Sequence, residues 1–406
     1  MVDLFWRLAV RFERELRLAR ALLGRLLSVA SRLLRALPST SWRFGPPRRF
    51  TFDTYTWACG ADVALCREVG PPWTTNRSVA DAAGQVLPHQ FIDSLKWRMP
   101  RTFVLALDDA RLWGRDAIAI SNDDTVLADQ TNAFRLRPEE LPIMRRLWLG
   151  RPRRVPGVSA MIGGTYAQSY YHWMFDLLPR LDLLSRSGLE FDRLIAPDSL
   201  AYQRETLEAA GVPAEGRVSY SDDTYLHLDR LLFPSVPGTP GQSPPAVCEF
   251  LRGLFRAEIT GQHQTRRLYL SRADTNRRKL ANEEAIVAAL EPFGFDSVTM
   301  TGRSVSEQAR LFAQAEVIVA PHGGALTNLV FCQPATKVIE LFPPGYTPVC
   351  FWTIADAVGL DYRPLFDDDT EPHDGLAQWV PYEVTPARVL ETLAALGIAE
   401  RGVRKS

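Results

Sequence analysis

Two residues of the chain have the spacing of a proton-accepting pair. His172 and Asp176 occur in the segment YYHWMFDLLPRL, four positions apart, so a helix would place them on one face. A carboxylate one turn away orients an imidazole to accept a proton from a hydroxyl group near neutral pH. The same spacing also occurs where a buried histidine bonds to an aspartate only for structure. The residues alone leave both interpretations open.

A second group of polar residues could hold an anion. The segment SRADTNRRKLANEE places a hydroxyl, guanidinium groups and an amide in one loop that enters a helix, from Ser271, Arg272, Arg277, Arg278 and Asn282. Guanidinium groups of this kind can hold a diphosphate without a metal. No G-x-G-x-x-G motif follows the apolar segment LYLSR, which argues against a dinucleotide cofactor.

A third group lies in the segment EVIVAPHGGALTNLVF. An apolar, β-branched run precedes a pair of glycines and a helix-like segment, which is a form in which backbone N–H groups receive phosphate. The donors expected at this turn come from His322, Gly323, Gly324 and Thr327. Glu340 ends the next apolar run, KVIELF, where a buried strand would normally carry an apolar side chain. We therefore expect Glu340 to have a functional role.

The elements that must position these residues repeat regularly from Arg266 onward. Five apolar strands alternate with four helical segments, and Ser304 with Glu307 forms a capping box before the second helix. This order predicts a doubly wound, parallel α/β domain. Ligands bind beyond the carboxyl ends of such strands, where Arg272, Thr301, His322 and Glu340 are expected.

The chain divides into five parts. They are expected to be a basic amphipathic helix (1–37), a linker (38–49), an N-terminal domain (50–240, β-rich over 50–155 and α/β over 156–235), a second, α/β domain (246–366), and an acidic loop with a C-terminal helix (367–406). The Pro/Gly-rich segment 236–245 is predicted to be a hinge. Residues 103–130 alternate as an antiparallel meander does, with the pairs Asp108–Asp109 and Asp123–Asp124 expected in turns.

The first 37 residues carry a continuous apolar stripe and a formal net charge of +5, from eight arginines against Asp3, Glu13 and Glu15. No apolar run of spanning length and no signal-peptide core occurs in this segment. One interpretation is a helix that lies on an anionic bilayer surface. The other is a helix that packs on the rest of the protein or on a partner helix.

Composition limits the function classes. The chain is 46% apolar and 23% charged, which is typical of a soluble globular protein. Its formal net charge of zero gives no field that favours nucleic acid. Five cysteines without a CxxC pair argue against a disulfide framework or a zinc site and indicate a reducing, cytoplasmic compartment. The basic residues are nearly all arginine, which we interpret as bacterial genome composition.

The three motifs, in this order, resemble glycosyltransferase family 61, over about residues 160–366, and the chain is identified as a bacterial member. The resemblance implies a GT-B-like architecture of two Rossmann-like domains that face a cleft. It also implies a UDP-linked donor such as UDP-xylose or UDP-N-acetylglucosamine, inversion at the anomeric carbon, and no metal or other cofactor. The expected activity is hexosyl or pentosyl transfer to a glycan, polysaccharide or lipid-linked acceptor.

The resemblance also assigns roles to residues. Donor binding falls to Arg272, Arg278, His322, Gly323, Gly324, Thr327, Asn328 and Glu340, with Ser271 and Asn282 in the same loop. His172 and Asp176 face the acceptor, with His172 as the base, and Glu340 accepts hydrogen bonds from ribose hydroxyls. A location on the inner face of the membrane follows if residues 1–37 bind lipid.

Three alternatives remain open from the sequence. A sugar-nucleotide epimerase shares the GT-B architecture and needs no acceptor. A metal-dependent transferase would use Asp367, Asp368 and Asp369, which we expect in a solvated turn. A non-catalytic scaffold tethered by residues 1–37 would bind no nucleotide.

Overall fold

The computed structural model describes most of the chain between residues 43 and 401. Described are residue 43, the ranges 45–61, 64–79, 87–131, 141–275, 277–366 and 381–401, and four earlier residues, Ala19, Leu22, Leu23 and Leu26. Those four are helical and exposed, while the rest of the predicted helix 1–37 and the acidic triplet 367–369 lie outside the described residues. Within the described part, no helix is long and apolar enough to cross a membrane.

Residues 49–234 form a large mixed sheet and a separate short pair of strands. The strands are β1 (Arg49–Thr51), β2 (Ala64–Gly70), β3 (Trp73–Thr74), β4 (Arg98–Met99), β5 (Thr102–Trp113), β6 (Ile118–Ile120), β7 (Thr125–Leu127), β8 (Arg153–Met161), β9 (Arg193–Ile195), β10 (Arg217–Val218) and β11 (Tyr225–Pro234). Strands β3 and β4 pair with each other, and the described others join in the order β1-β7-β6-β5-β11-β8-β9-β10, with β2 on β5. The predicted β-rich and α/β parts therefore share a single sheet, through the antiparallel pair β5–β11 and the parallel pair β11–β8.

The predicted antiparallel meander is confirmed for β5, β6 and β7. The prediction of a turn at Asp108 and Asp109 is wrong, because both residues lie within β5. Their carboxylates bind side chains of β11: Asp108 contacts Arg230 at 2.6 Å and Asp109 contacts His227 at 3.0 Å. Cross-strand charge pairs of this kind keep aspartates in a strand that their own propensity disfavours.

Short helices follow the strands of the first sheet. They are α1 (Thr54–Gly60), α2 (His89–Ser94), α3 (Tyr170–His172), α4 (Arg180–Ser187) and α5 (Ala201–Ala209). A π-helical turn, Trp173–Leu177, joins α3 to α4.

The second sheet confirms the predicted parallel α/β order. Its strands β12 (Arg266–Leu270), β13 (Phe295–Val298), β14 (Ala315–Pro321), β15 (Lys337–Leu341) and β16 (Asp361–Leu365) are all parallel, in the order β13-β12-β14-β15-β16. Val317, Ile318 and Val319 of the central strand are fully buried, as expected for a strand covered on both faces.

The helices of this half are α6 (Pro245–Leu254), α7 (Arg256–Ile259), α8 (Glu283–Leu290), α9 (Val305–Ala313), α10 (Cys350–Val358) and α11 (Pro386–Ala395). The predicted capping box is confirmed, since Ser304 and Glu307 exchange both bonds at 3.1 and 2.8 Å. The segment Gly324–Phe331 is a 3₁₀-helix, which corrects the ordinary helix that we expected from its spacing.

The two sheets are joined by a shared apolar core and by hydrogen bonds. Buried side chains of both halves, among them Trp173 and Phe331, belong to one cluster. The carboxylate of Glu205, on α5, accepts the backbone N–H groups of Val305 and Ser306 at 2.7 and 2.8 Å and so caps α9 across the boundary.

The segment 236–245 connects the two halves, but it is fastened at several points. Val236 N donates to Gln130 at 2.9 Å, Gln242 Nε2 donates to Ser94 at 2.9 Å, and Ser243 N donates to Thr353 at 3.1 Å. Gln242 and Ser243 are buried. The expected hinge is therefore a packed connection in this conformation.

Candidate active site

A histidine and an aspartate lie side by side beyond the carboxyl end of β8. The imidazole Nδ1 of His172 lies 2.6 Å from the carboxylate Oδ2 of Asp176, which confirms that the two residues share a helix face. Between them the chain widens into the π-helical turn, a distortion that frequently occurs at functional sites. The His172 side chain is 24% exposed and that of Asp176 is 7% exposed, so the ring is the part of the pair that a substrate can reach.

Packing fixes the orientation of this pair. The buried indole of Trp173 donates from Nε1 to Thr206 Oγ1 at 2.8 Å, and the ring of Tyr166 stacks on the His172 ring at 5.0 Å between centroids. An ionised Asp176 accepts the Nδ1–H of His172, which leaves Nε2 with a lone pair. The arrangement can therefore accept a proton from a bound hydroxyl group.

Arg180, one turn beyond Asp176, is a buried cation that the sequence interpretation missed. Its Nε donates to the Asp176 carbonyl at 3.1 Å and its Nη2 donates to the Gln130 carbonyl at 2.8 Å. The side chain is fully buried, and this burial lowers the pKa of Arg180 to about 10. Its spacing of four residues from Asp176 is the signal that could have identified it.

The second cluster lies where β12 and β14 end as neighbours. In the order β13-β12-β14, the connections after these two strands leave in opposite directions, which creates the crevice where ligands bind in such sheets. Arg272 follows β12 and lies against Gly323, which follows β14. A Cβ atom on residue 323 would come within 1.7 Å of Arg272 Nη1, so any other residue here would displace the Arg272 guanidinium.

The Arg272 guanidinium has no ion-pair partner among the described residues, although the carboxylate of Glu283 accepts the Arg272 backbone N–H at 3.0 Å. The residue is 9% exposed, its Nη2 donates to the Arg277 carbonyl at 2.7 Å, and its Nε has no hydrogen-bond partner. Among the described residues, no carboxylate forms an ion pair with its guanidinium group. Burial, followed by the charge of Arg278, lowers the pKa of Arg272 to about 10. A bound anion would supply the missing negative charge.

His322 is held at the same crevice by a buried carboxylate. Its Nδ1 lies 2.5 Å from Glu340 Oε1, and the hydroxyl of Tyr362 donates to the other oxygen of Glu340. Glu340 is fully buried, so in this geometry it orients His322. This corrects the expectation that its oxygens accept hydrogen bonds from ribose. Arg278 completes the wall, with its Nε donating to the His322 carbonyl at 3.2 Å and its guanidinium 5.5 Å from the Tyr346 ring centroid.

The other predicted donor residues divide into two groups. Gly324 is exposed at the start of the 3₁₀-helix, the Thr327 hydroxyl is buried without a hydrogen-bond partner in the described chain, and Ser271 follows β12 directly. Asn282 and Asn328 are instead used inside the protein. Asn282 exchanges hydrogen bonds with the backbone of Val384, and Asn328 accepts from the Tyr170 hydroxyl at 2.8 Å and donates to Gln308 at 2.7 Å.

These contacts bring the two clusters together. Tyr170, at the start of α3, bonds to Asn328 of the 3₁₀-helix. The ring of Tyr171 lies 5.8 Å from that of Phe351, which lies 4.9 Å from the His322 ring. The ring of Phe351 therefore connects His322 to Tyr171, the residue before His172. These contacts connect the segment of the His172–Asp176 pair to the elements that carry His322 and Asn328.

No group of three or more histidine, cysteine, aspartate or glutamate side chains suited to a metal ion occurs in the part of the chain that is described. The only acidic run considered from the sequence, 367–369, lies outside that part.

Comparison with known proteins supports a sugar-transfer site. Residues 170–339 match the family Glycosyltransferase 61, a range that includes His172, Arg272 and His322. A β-1,2-xylosyltransferase of Oryza sativa subsp. japonica is 40% identical over 94 residues, 22% of this chain and 16% of that protein. A xylan glycosyltransferase of Arabidopsis thaliana is 26% identical over 116 residues, 27% of this chain and 24% of that protein.

An animal protein matches over a similar length. Protein O-linked-mannose β-1,4-N-acetylglucosaminyltransferase 2 of Bos taurus is 29% identical over 108 residues, 25% of this chain and 18% of that protein. The chain thus spans less than a quarter of the length of each of these relatives. Since they come from plants and a mammal, the bacterial source stays a prediction. What the comparisons establish is that residues 170–339, which carry His172, Asp176, Arg272, Arg278 and His322, are similar to glycosyltransferases of family 61.

Proposed function

We propose that the chain is an inverting glycosyltransferase that moves a sugar from a UDP-linked donor to a hydroxyl of a glycan or polysaccharide, without a metal. The observation that carries this proposal is the buried guanidinium of Arg272, without an ion pair among the described residues, in a chain that also holds the His172–Asp176 pair. The first group suits a diphosphate and the second suits an attacking hydroxyl.

The proposed reaction follows from these positions. The acceptor hydroxyl transfers its proton to His172 Nε2 while its oxygen forms a bond to the anomeric carbon. The bond from that carbon to the diphosphate oxygen breaks on the opposite face, and the electron pair leaves with UDP. Arg272, Arg278 and the backbone N–H groups at the start of the 3₁₀-helix stabilise the charge that grows on the diphosphate.

The two sheets support a GT-B-like arrangement, with residues 50–240 on the acceptor side and residues 246–366 on the donor side. The names of the relatives favour a xylosyl or N-acetylglucosaminyl donor. We place the protein in the cytoplasm, on the inner membrane face if residues 1–37 bind lipid.

The test is a screen of UDP-sugars by thermal shift, followed by transfer to a panel of glycan acceptors with and without EDTA. A donor that binds the folded chain raises its melting temperature. We expect a product of inverted anomeric configuration in both conditions. Conversion of the donor without any acceptor would indicate an epimerase. Loss of transfer in EDTA would indicate a metal-dependent enzyme, and a complete lack of donor binding would indicate a scaffold.

Donor binding is expected to take up a proton at His322. Burial lowers the pKa of His322 below its usual value, Glu340 partly opposes this, and the charges of Arg278 and Arg272 lower it further. A diphosphate beside these arginines would bring negative charge and raise that pKa. The donor then binds the protonated form better, so affinity should fall as pH rises through the interval between the pKa of His322 in the free protein and its higher pKa in the complex.

Calorimetry in buffers of different ionisation enthalpy measures this uptake directly. A UDP-sugar is the suitable ligand, because its diester phosphates do not titrate in this range. His322→Gln should abolish the buffer dependence. A binding enthalpy that is the same in all buffers for the unaltered protein would show that His322 stays neutral.

Residues 1–37 are expected to bind anionic vesicles. Leu22, Leu23 and Leu26 are 59%, 50% and 69% exposed, and the segment carries a formal charge of +5. Binding should weaken with salt and disappear when residues 1–37 are deleted. Co-sedimentation with phosphatidylserine vesicles measures it, and neutral vesicles are the control. No binding at low salt would assign the segment to the fold or to a partner.

A further inference from the structure

A chain of aromatic rings joins the two histidines of the candidate site. The ring centroid of His172 lies 5.3 Å from that of Tyr171, which lies 5.8 Å from that of Phe351. The Phe351 centroid lies in turn 4.9 Å from that of His322. Tyr171 and His172 belong to α3 of the first half, whereas Phe351 and His322 belong to the second. The ring contacts therefore cross the boundary between the halves.

Phe351 is the ring of this chain that contacts both halves. It lies in the first turn of α10 and is 3% exposed. Its plane stands at 89° to that of Tyr171 and at 46° to that of His322, so its edge and its face are both in contact with other rings. The Phe351 side chain thus fills the space between the segment of His172 and the turn that carries His322.

Both neighbours of Phe351 are held by further ring contacts. Tyr171 stacks on Phe175 of the π-helical turn, with centroids 5.2 Å apart and planes at 12°. His322 stacks on Phe342, with centroids 5.3 Å apart and planes at 28°. Because a close-packed interior leaves these rings little room to move, the size of the Phe351 side chain sets the distance between them.

This distance enters the proposed reaction. In a displacement with inversion, the attacking oxygen, the anomeric carbon and the leaving oxygen lie nearly in line, so the proton acceptor and the diphosphate-binding groups need a fixed separation. His172 is the proposed proton acceptor, and Arg278 of the proposed diphosphate site donates to the His322 carbonyl at 3.2 Å. A misplacement of about 1 Å in such an arrangement can lower the rate about 100-fold.

We propose that Phe351 is a positioning residue, which sets the separation between His172 and the diphosphate-binding residues of the second half. The inference rests on the proposed function, since it concerns the geometry of the same transfer step. Phe351 touches neither substrate in that step. It acts through Tyr171 on one side and through His322 on the other.

The experiment compares Phe351→Leu with the matched control Phe255→Leu. Phe255 is 1% exposed and belongs to the same apolar cluster, where its ring lies 5.3 Å from that of Phe331. Both substitutions remove the same atoms from a buried position, so both should lower the melting temperature. The measured quantity is the ratio of sugar transfer to donor hydrolysis in one reaction mixture. Partial unfolding lowers both rates equally and leaves this ratio unchanged.

We expect Phe351→Leu to lower the ratio by about tenfold, because a water molecule can follow a displaced base whereas a bound acceptor cannot. Phe255→Leu should keep the ratio of the unaltered protein. Tyr171 provides a second pair of variants. Tyr171→Leu removes two of the ring contacts and should lower the ratio, while Tyr171→Phe retains the rings and should not.

An unchanged ratio in Phe351→Leu, or in Tyr171→Leu if the first variant does not fold, would overturn this inference and leave the proposed function intact. An equal fall of the ratio in Phe255→Leu would overturn it too, since any loss of core packing would then have the same effect. Absence of transfer by the unaltered protein would overturn the proposed function and this inference with it.

Discussion

His172→Ala is expected to lower turnover by about 100-fold or more while UDP binding stays nearly intact, because general base catalysis typically contributes this factor. The imidazole is held 2.6 Å from Asp176, at the exposed edge of a buried helix. It contacts no residue of the donor cluster directly. Asp176→Asn should cost less, since it disturbs the orientation of the ring and does not remove it.

Turnover and thermal stability must be measured on the same sample of His172→Ala. A suitable control is His227→Ala, which breaks another histidine–aspartate pair, with Asp109 at 3.0 Å, on the strand pair β5–β11. The control should keep full turnover. A stable His172→Ala protein with nearly normal turnover would place the base elsewhere, and a joint loss of stability and UDP binding would make His172 structural.

Arg272→Ala is expected to reduce UDP affinity by about tenfold or more, because a hydrogen bond to a charged group contributes roughly 1.5–3 kcal/mol. Calorimetry with UDP measures the loss. Arg266→Ala is the matched control. Arg266 begins the same strand, at the end opposite the crevice, and its guanidinium lies 2.8 Å from the carboxylate of Asp296. UDP affinity that is unchanged in Arg272→Ala would remove this residue from the site.

The Arg272 guanidinium forms no ion pair within the part of the chain that is described, and this adds a second readout. A buried cation without a counter-ion does not stabilise the ligand-free fold, and a hydrophobic replacement of similar length is often neutral or stabilising. We therefore expect Arg272→Met to bind UDP weakly and to melt no lower than the unaltered protein. A large fall in its melting temperature would indicate that Arg272 serves the fold.

Local patterns predicted the parts of the site that depend on nearby residues. The His172–Asp176 contact follows from helix geometry. The parallel strands follow from continuous β-branched runs such as 317–319, which are typical of strands covered on both faces. The sequence also predicted the turn at Gly323. It did not predict that the Arg272 side chain packs on this glycine, because the two positions are 51 residues apart.

The parts that were not predicted depend on partners far apart in the chain. Glu340 was assigned to ribose, but its partner Tyr362 lies 22 residues later on another strand, and no local pattern shows that contact. Asn328 was assigned to the donor, but its partner Tyr170 lies 158 residues earlier. Aspartates 108 and 109 stay in a strand because of side chains on β11. Short-range propensity contains no information on such contacts.

The shared core has a consequence for how the chain unfolds. Trp173 and Phe331 lie in one apolar cluster, and Glu205 caps a helix of the other half, so neither half can lose its packing without exposing the core of the other. We therefore expect unfolding to be a single cooperative transition, in which the free energy of the proposed donor binding would be added to the stability of both halves. The amides of Val305 and Ser306, whose hydrogens are bonded across the boundary, would exchange with solvent only as fast as the halves separate.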